Sequence, residues 1–344
     1  MITIPPSNRK IVWWIIAIVA LIVIAFVAWK MWQNHQKWAA IPMPEPTATV
    51  GEEMTPAKLG ELLQKKNKVR DAATFAEAAR NIHLSQVQPG VYKLPQVAGP
   101  MQLAQIFSQL PDLVKVTFPE GWTAHQMAER LAKEHIAAAD DFRRMAYPVD
   151  KAVSPWEGRL FPDTYLLSPK ASASEIIQKL HHHFAEISAD LPKPFPQTSP
   201  GKVLSLPQLT TLASIVERET AVPSERALVA GVLLNRLRKN MRLQCDATVQ
   251  YARELAAARD LLDKGHKSRL MHSDLKIDSP YNTYRHNGLP PGPICNPGKA
   301  SLEAAARPKA SNYLFYVWSP KLKHHLFATT YAGHLHNVRL VKGQ

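Results

Sequence analysis

The stretch Thr55–Lys66, TPAKLGELLQKK, returns at Thr123–Glu134 as TAHQMAERLAKE. Aligned at the threonines, Leu59 meets Met127, Glu61 meets Glu129, Leu63 meets Leu131 and Lys65 meets Lys133. Each copy opens on a Thr suited to a helix N-cap and then carries apolar residues at helical spacing. Each runs on to a phenylalanine, Phe75 or Phe142, near the start of a second helical pattern. Before the second copy, LVKVTF at Leu113–Phe118 alternates like a strand and leads into the turn signal PEGW. GVYKLP, starting at Gly90, is another short strand. The repeat predicts small strand–helix–helix–strand units, and with them an α+β fold.

On the N-terminal side, Ile11–Trp29 (IVWWIIAIVALIVIAFVAW) contains no charged residue. A helix of that length spans about 28 Å, close to the roughly 30 Å of a bilayer's hydrocarbon core. A cleaved signal peptide has a shorter apolar core ending at small residues. This run ends instead in Trp29, Lys30, Met31 and Trp32, which reads as an interfacial anchor. The expectation is an uncleaved signal anchor with its N-terminus inside, so that the bulk of the protein lies outside the cytoplasm. Ala39–Thr55, rich in proline and without periodicity, reads as a tether.

On the C-terminal side, WEGRLFPDTYLL at Trp156–Leu167 is a loop with two acids, Glu157 and Asp163. Ser174–Phe184 reads as a helix and Leu191–Pro200 as a proline-rich linker. SLPQLTTLASIVERET begins at Ser205, a plausible N-cap, with Pro207 suited to a first helical turn. Leu209, Leu212, Ala213 and Val216 share one face, and the apolar run ends in Glu217. Ala221–Leu237 and Ala252–Leu262 read as further helices, His272–Pro297 as a long loop, and Tyr313–Trp318 with His325–Thr329 as closing strands.

The chemistry concentrates around that run. A carboxyl group beside apolar surface is the kind that serves as a general acid, because desolvation disfavours its charged form. On the helical wheel Glu217 and Glu219 lie about equally far from the apolar face, on opposite sides, so periodicity does not choose between them. The later segments NRL, LQCDATV, YNTY and GLPPGPICNPG are rich in the amides and hydroxyls that line polar ligand grooves. No GxSxG, HExxH, P-loop or strand-borne GxGxxG is present. Consecutive His181, His182 and His183 point in different directions on a helix, and no metal site or cofactor is expected. The net charge of +14 comes without a Lys/Arg run interleaved with aromatics, so anionic headgroups or an acidic wall polymer are better partners than nucleic acid. Two cysteines exclude a disulfide scaffold; Cys245 and Cys295 would bridge only if their segments converge.

PGVYKLP, FPEGWTAHQMAERLA, EGRLFPDTYLL, ASIVERET, VLLNRL, LQCDATV, YNTY, GLPPGPICNPG and the terminal HLFATT…H, in that order, resemble the YceG-like (MltG) family of endolytic murein transglycosylases. The resemblance covers roughly residues 50 to 340. It implies a single-pass inner-membrane protein with a LysM-like module before its catalytic domain. The corresponding boundaries are a cytoplasmic tail 1–10, a transmembrane anchor 11–32, a linker 33–54, a LysM-like region 55–150 and a catalytic domain 151–344. By resemblance the catalytic acid is Glu217, with Glu219, Glu157 and Asp163 supporting it. Asn235, Gln244, Asp246, Thr248, Tyr281, Asn282, Thr283 and Tyr284 are implied to bind substrate, and Leu289 and Pro290 to form a rigid wall. Gly333 precedes His334 where many relatives carry a polar or acidic residue.

The implied reaction cuts the β-1,4 bond between N-acetylmuramic acid and N-acetylglucosamine in nascent glycan strands, leaving 1,6-anhydro ends. The implied partners are peptidoglycan and membrane-bound glycan polymerases. Two other readings fit the same residues: a non-catalytic glycan-binding assembly factor and a hydrolytic muramidase.

Overall fold

Thr55 and Thr123 both cap helices, as the repeat requires. The computed structural model describes residues 6–43, 45–147, 153–220, 222–258 and 270–343, with backbone alone for 6–12 and 258. Its contacts divide the chain into two units that meet in sequence at Val114 and Lys115.

The first unit contains α1 (Pro6–Trp38), β1 (Ile41–Pro42), β2 (Thr47–Val50), α2 (Pro56–Lys65), α3 (Ala72–Asn81), β3 (Gly90–Lys93), β4 (Val97–Ala98) and α4 (Pro100–Phe107). Asp71 caps α3 by accepting the Thr74 N–H at 3.0 Å, an interaction worth about 1 kcal/mol. Leu59 and Leu63 of α2 and Phe75 of α3 are buried, as the repeat pattern predicts. β2 pairs antiparallel with β3, from Thr47 opposite Lys93 to Val50 opposite Gly90. Tyr92 of β3 packs on Phe107 with ring centroids 4.8 Å apart, and Phe75 meets Phe107 edge-on. The strand–helix–helix–strand unit therefore closes around an aromatic core.

The expected linker 33–54 is not a tether. α1 continues to Trp38, which packs against this core. Gln36 accepts a hydrogen bond from the Arg70 guanidinium at 2.8 Å. β1 pairs with β4, and the buried Lys68 donates to the carbonyls of Glu45 and Thr47 at 3.4 and 3.2 Å. Proline is tolerated on an edge strand, where Pro42 sits, and the pairing partners lie far along the chain. Local composition carries neither fact.

The second copy comprises β5 (Val114–Thr117), α5 (Ala124–Lys133), α6 (Ala139–Ala146) and β6 (Thr164–Leu167), with β5 paired to β6, and from Lys115 on it lies in the second unit. Thr123 and Gln126 form a reciprocal capping box on α5, and Met127, Leu131 and Phe142 are fully buried. After these come α7 (Ala173–Ala189), a hairpin of β7 (Gln197–Ser199) and β8 (Lys202–Val203), α8 (Leu206–Glu219), α9 (Arg226–Arg238), α10 (Asp246–Ala258), α11 (Lys299–Ala306), the antiparallel pair β9 (Phe315–Ser319) and β10 (His324–Ala328), and α12 (Tyr331–Lys342). The expected helix Ala221–Leu237 starts later, after a 3₁₀ turn at Pro223–Glu225, and Ala221 lies outside the described residues. α10 starts earlier than expected, and the end of the expected Ala252–Leu262 helix also falls outside them.

The expected division at residue 150 differs from the observed one. The second copy packs with the helix C-terminal to it: α6 lies against α7, and Ala137 donates its N–H to the Pro169 carbonyl at 3.0 Å. The two copies therefore belong to different units, although they share one pattern.

Candidate active site

α8 is buried on every side from Leu209 to Val216, with the hydroxyls of Thr210, Thr211 and Ser214 satisfied by carbonyls of the helix itself. Its polar end therefore has to find partners. Glu217 and Glu219 leave α8 in different directions, and each reaches a separate set of groups.

Glu219 accepts from the Tyr316 hydroxyl of β9 at 2.8 Å and from the Ala247 N–H at the start of α10 at 3.5 Å. Burial pushes its carboxyl above the usual carboxylate range. Glu217 has a side chain only 6% exposed. Its Oε2 accepts the Gly298 N–H at 3.0 Å, and its Oε1 lies 3.4 Å from the Arg226 guanidinium. Gly298 is the N-cap of α11, so the carboxylate also meets the positive end of a helix dipole, typically worth about 0.3–1 kcal/mol.

Two segments distant in sequence build the floor under Glu217. Asn296 accepts the Gly121 N–H at 3.0 Å through its carbonyl and donates its own N–H to the Trp122 carbonyl at 2.8 Å. Its side chain donates to Trp122 and Glu157 and accepts from the Leu160 N–H. The PEGW turn is thereby clamped to the ICNPG segment. Gly121 adopts φ +78°, a left-handed conformation that other residues rarely adopt, and a Cβ there would touch Glu217 Cγ at 3.5 Å. Glu120, one residue earlier, lies over Gly298, where a Cβ would collide with its carboxylate. Partial desolvation and the neighbouring Glu217 charge push the exposed Glu120 upward, against the pull of Arg226.

The sequence reading missed Glu120, Gly121, Arg226 and Gly298. PEGW reads as a turn and no more, although an acid placed before a glycine inside a family-matching segment was the available signal. Arg226 carries no motif of its own.

Glu157 is 2% exposed and accepts the Ala124 N–H at 3.0 and 3.3 Å, completing the capping of α5. It also lies 3.5 Å from the Tyr251 hydroxyl, and burial drives its carboxyl up to about 8. Asp163 accepts from its neighbour's Thr164 N–H and gives its carbonyl to Phe118, so it fastens β6 to the end of β5.

The other expected site residues gather mainly into a buried network beside Glu219. Thr248 and Thr283 share a hydrogen bond at 2.9 Å, and Thr283 also accepts the Cys245 N–H. Asn282 is fully buried, its amide donating to the Leu275 and Ile277 carbonyls. Tyr281 is buried and packs on Tyr251. Asp246 and Tyr284 pair at 2.6 Å near the surface, and Gln244 is exposed in a left-handed backbone at φ 50°. Asn235 of α9 donates to the Ser311 and Tyr313 carbonyls, which holds the segment before β9. Leu289 and Pro290 wall an open cavity of about 800 Å³ with Gln208, Thr210, Arg159 and Arg238. That cavity lies at the N-terminal half of α8, and Glu217 is not among its described lining residues.

Cys245 and Cys295 are not bridged. Both are buried, and their thiols turn to different carbonyls, Leu243 and Ser214. Their segments pack on different parts of α8, the first beside Glu219 and the second beside Ser214.

Fold and site together define an α+β protein with two strand–helix–helix–strand units and a buried carboxylate centre at the end of a core helix. Residues 48–340 match the model of the YceG-like family. The endolytic murein transglycosylase of Bacillus subtilis strain 168 is 31% identical over 289 residues, covering 75% of this chain and 74% of that protein. The protein of the same name from Streptococcus pneumoniae serotype 2 is 26% identical over 322 residues, 83% of this chain and 55% of its own length. A crystal structure of a putative YceG-like protein from Listeria monocytogenes superposes with a TM-score of 0.59 at 28% identity, covering 87% of this chain and 98% of that one. The chain belongs to the YceG-like family.

Proposed function

We propose that this protein is an endolytic lytic transglycosylase acting on peptidoglycan, with Glu217 as general acid and then base. The observation that carries the reading is the burial and anchoring of Glu217 in a chain whose relatives bear that name. In this scheme Glu217 protonates the oxygen of the β-1,4 bond between N-acetylmuramic acid and N-acetylglucosamine. The resulting carboxylate takes the proton of the sugar's own C6 hydroxyl, whose oxygen closes a 1,6-anhydro ring as the bond breaks. The substrate supplies the nucleophile, so the water that a second carboxylate activates in an inverting glycosidase is not needed.

α1 is long and apolar enough to cross a membrane once, with mean hydropathy 2.5 over its most apolar stretch. The reading places it in the cytoplasmic membrane with its N-terminus inside and both folded units outside, where nascent glycan and membrane-bound polymerases lie. The first strand–helix–helix–strand unit then corresponds to the family's LysM-like module. Asp246, Gln244 and Tyr284, near the surface, are the most accessible of the expected sugar contacts, whereas Asn282, Thr283 and Thr248 support the loops behind them.

Glu217→Gln tests the reading. It should lower release of anhydro-muropeptides from purified glycan strands by at least about 100-fold, the lower range of general acid–base contributions. Release at the wild-type rate would leave only a binding role. Glu120, a second acid near Glu217, favours one rival, a hydrolytic muramidase. Its products would be heavier by one water, roughly 18 mass units, than the anhydro products of the scheme above.

A further inference from the structure

The Gly298 N–H, at the start of α11, and the Arg226 guanidinium are both donors, one facing each of the carboxyl oxygens of Glu217. A group that gives a proton and then takes one back is served by a second acid within reach.

The charged side chains on the surrounding elements are mostly committed elsewhere. On α8, Arg218 turns to Glu254 at 3.2 Å and to the Ile294 carbonyl, while Glu219 faces Tyr316. Before α9, Glu225 is engaged by His325 at 2.6 Å. On α11, Lys299 lies 3.9 Å from Glu303 and is half exposed. In the ICNPG segment, Cys295 stays a neutral thiol because burial pushes it up. Two charges remain, Arg226 and Glu120. The Arg226 Nε is buried without a hydrogen-bond partner among the described residues, so Glu217 does not exhaust its donors. Glu120 makes no ion pair among the described residues, and its carboxylate occupies the space over Gly298 that a side chain would fill. Glu120 and Glu217 thus approach the same glycine, one at its Cα and one at its N–H.

We propose that Glu120 is a positioning residue of the reaction centre, whose negative charge opposes Arg226 and extends upward the pH range over which Glu217 delivers its proton. The inference rests on the transglycosylase reading and adds a second acid that acts through the first. With one proton between them, the two acids and Arg226 make a site of zero net charge, with Glu217 nearly buried and Glu120 exposed at its edge. The rise of the Glu120 carboxyl, caused by partial desolvation and by Glu217, agrees with such sharing.

The test is the pH–kcat profile of the full chain in detergent on purified glycan strands, with Glu120→Gln, Glu120→Asp and Arg226→Met. Glu120→Gln keeps the shape and removes the charge. Its alkaline limb should move down by about one pH unit, with KM changed less than about twofold. Glu120→Asp should restore most of the limb, and Arg226→Met should move it the opposite way. An alkaline limb of Glu120→Gln coincident with the wild type overturns the proposal, whatever the rate. Should the wild type release no anhydro product, the transglycosylase reading fails, and carboxyl ¹³C titration of the same chains decides the charge coupling. Glu120 should then titrate lower in Glu217→Gln than in the wild type, and equal midpoints overturn the coupling.

Discussion

Gly298 is one of two glycines at the site, and both acids meet it. Its N–H holds Glu217, and its missing side chain admits Glu120. Its backbone conformation, φ −75° and ψ 169°, suits alanine equally well. Gly298→Ala should therefore fold normally, with little change in thermal midpoint, yet displace the Glu120 carboxylate. Activity on glycan strands should fall roughly 100-fold, because Glu217, held by the same residue, is misplaced along with Glu120; a midpoint lowered by many degrees would instead mark Gly298 as structural. Glu157 behaves in the opposite manner, as a fold residue with an unusual titration. Its carboxyl sits at about 8 in the folded state against an ordinary 4.5. The native state holds that proton where the unfolded chain has released it. The associated stability is complete below about 4.5 and is lost as pH rises through about 8, at about 1.4 kcal/mol per unit of displacement. The wild-type thermal midpoint should fall between about pH 5 and about pH 8.5, and Glu157→Gln should flatten that fall. At this scale the two carboxylates that end α8 were legible in the sequence, but their separate settings were not. Asn282 and Thr283 carry polar side chains that composition assigns to a ligand, whereas the fold spends them on carbonyls and hydroxyls of neighbouring loops. Hydrogen-bond partners that lie far along the chain leave no local signature.

Among the elements, those specified by their own periodicity were legible: α2 and α5 with their Thr caps, α3, α6 and α7, and the strands β3 and β5; β2 falls in the expected tether and β6 in the expected loop Trp156–Leu167. α12 was not legible either, because its residues stay half-exposed and its apolar stripe is weak. α9 shows how an element encodes a neighbour. Gly231 sits in its interior, where alanine would gain about 1 kcal/mol of helix propensity. A Cβ at that position, however, collides with the Lys309 carbonyl, whose residue also donates its N–H to the Ala227 carbonyl at 2.8 Å. Overpacking of this kind costs about 1–3 kcal/mol, more than the propensity gain. Gly231→Ala should lower stability in urea denaturation, and a stabilised variant would mean that the segment at Lys309 yields freely.

For the whole molecule, the repeat announced two similar units but not their allegiance. The first copy closes its own core with α4, and the second is built into the unit that carries Glu217. Allegiance follows from long-range contacts such as Glu157 on α5, which no repeat pattern contains. The same distinction governs where the chain tolerates cutting. A chain beginning at Gln33 retains Gln36, Trp38, β1 and β2, and should show cooperative melting of the first unit by circular dichroism. A chain beginning at Thr55 lacks the strand that pairs with β3 and leaves the carbonyl acceptors of Lys68 absent. It should lose that transition and become sensitive to limited proteolysis, and equal resistance of the two chains would show that the first unit closes without β2.

α1 passes from its apolar span into the first unit without a break, Trp38 packing on the unit's core. From Trp29 to Trp38 a helix rises about 14 Å, at about 1.5 Å per residue. A flexible tether would let the attached body sweep a hemisphere of solution; a helical strut fixes its stand-off and leaves tilt as its main freedom. With α1 in the membrane, as proposed above, the first unit rides at a set height, like a float on a short stem. Lengthening that stem by whole turns, about 5.4 Å each, would change its reach in discrete steps.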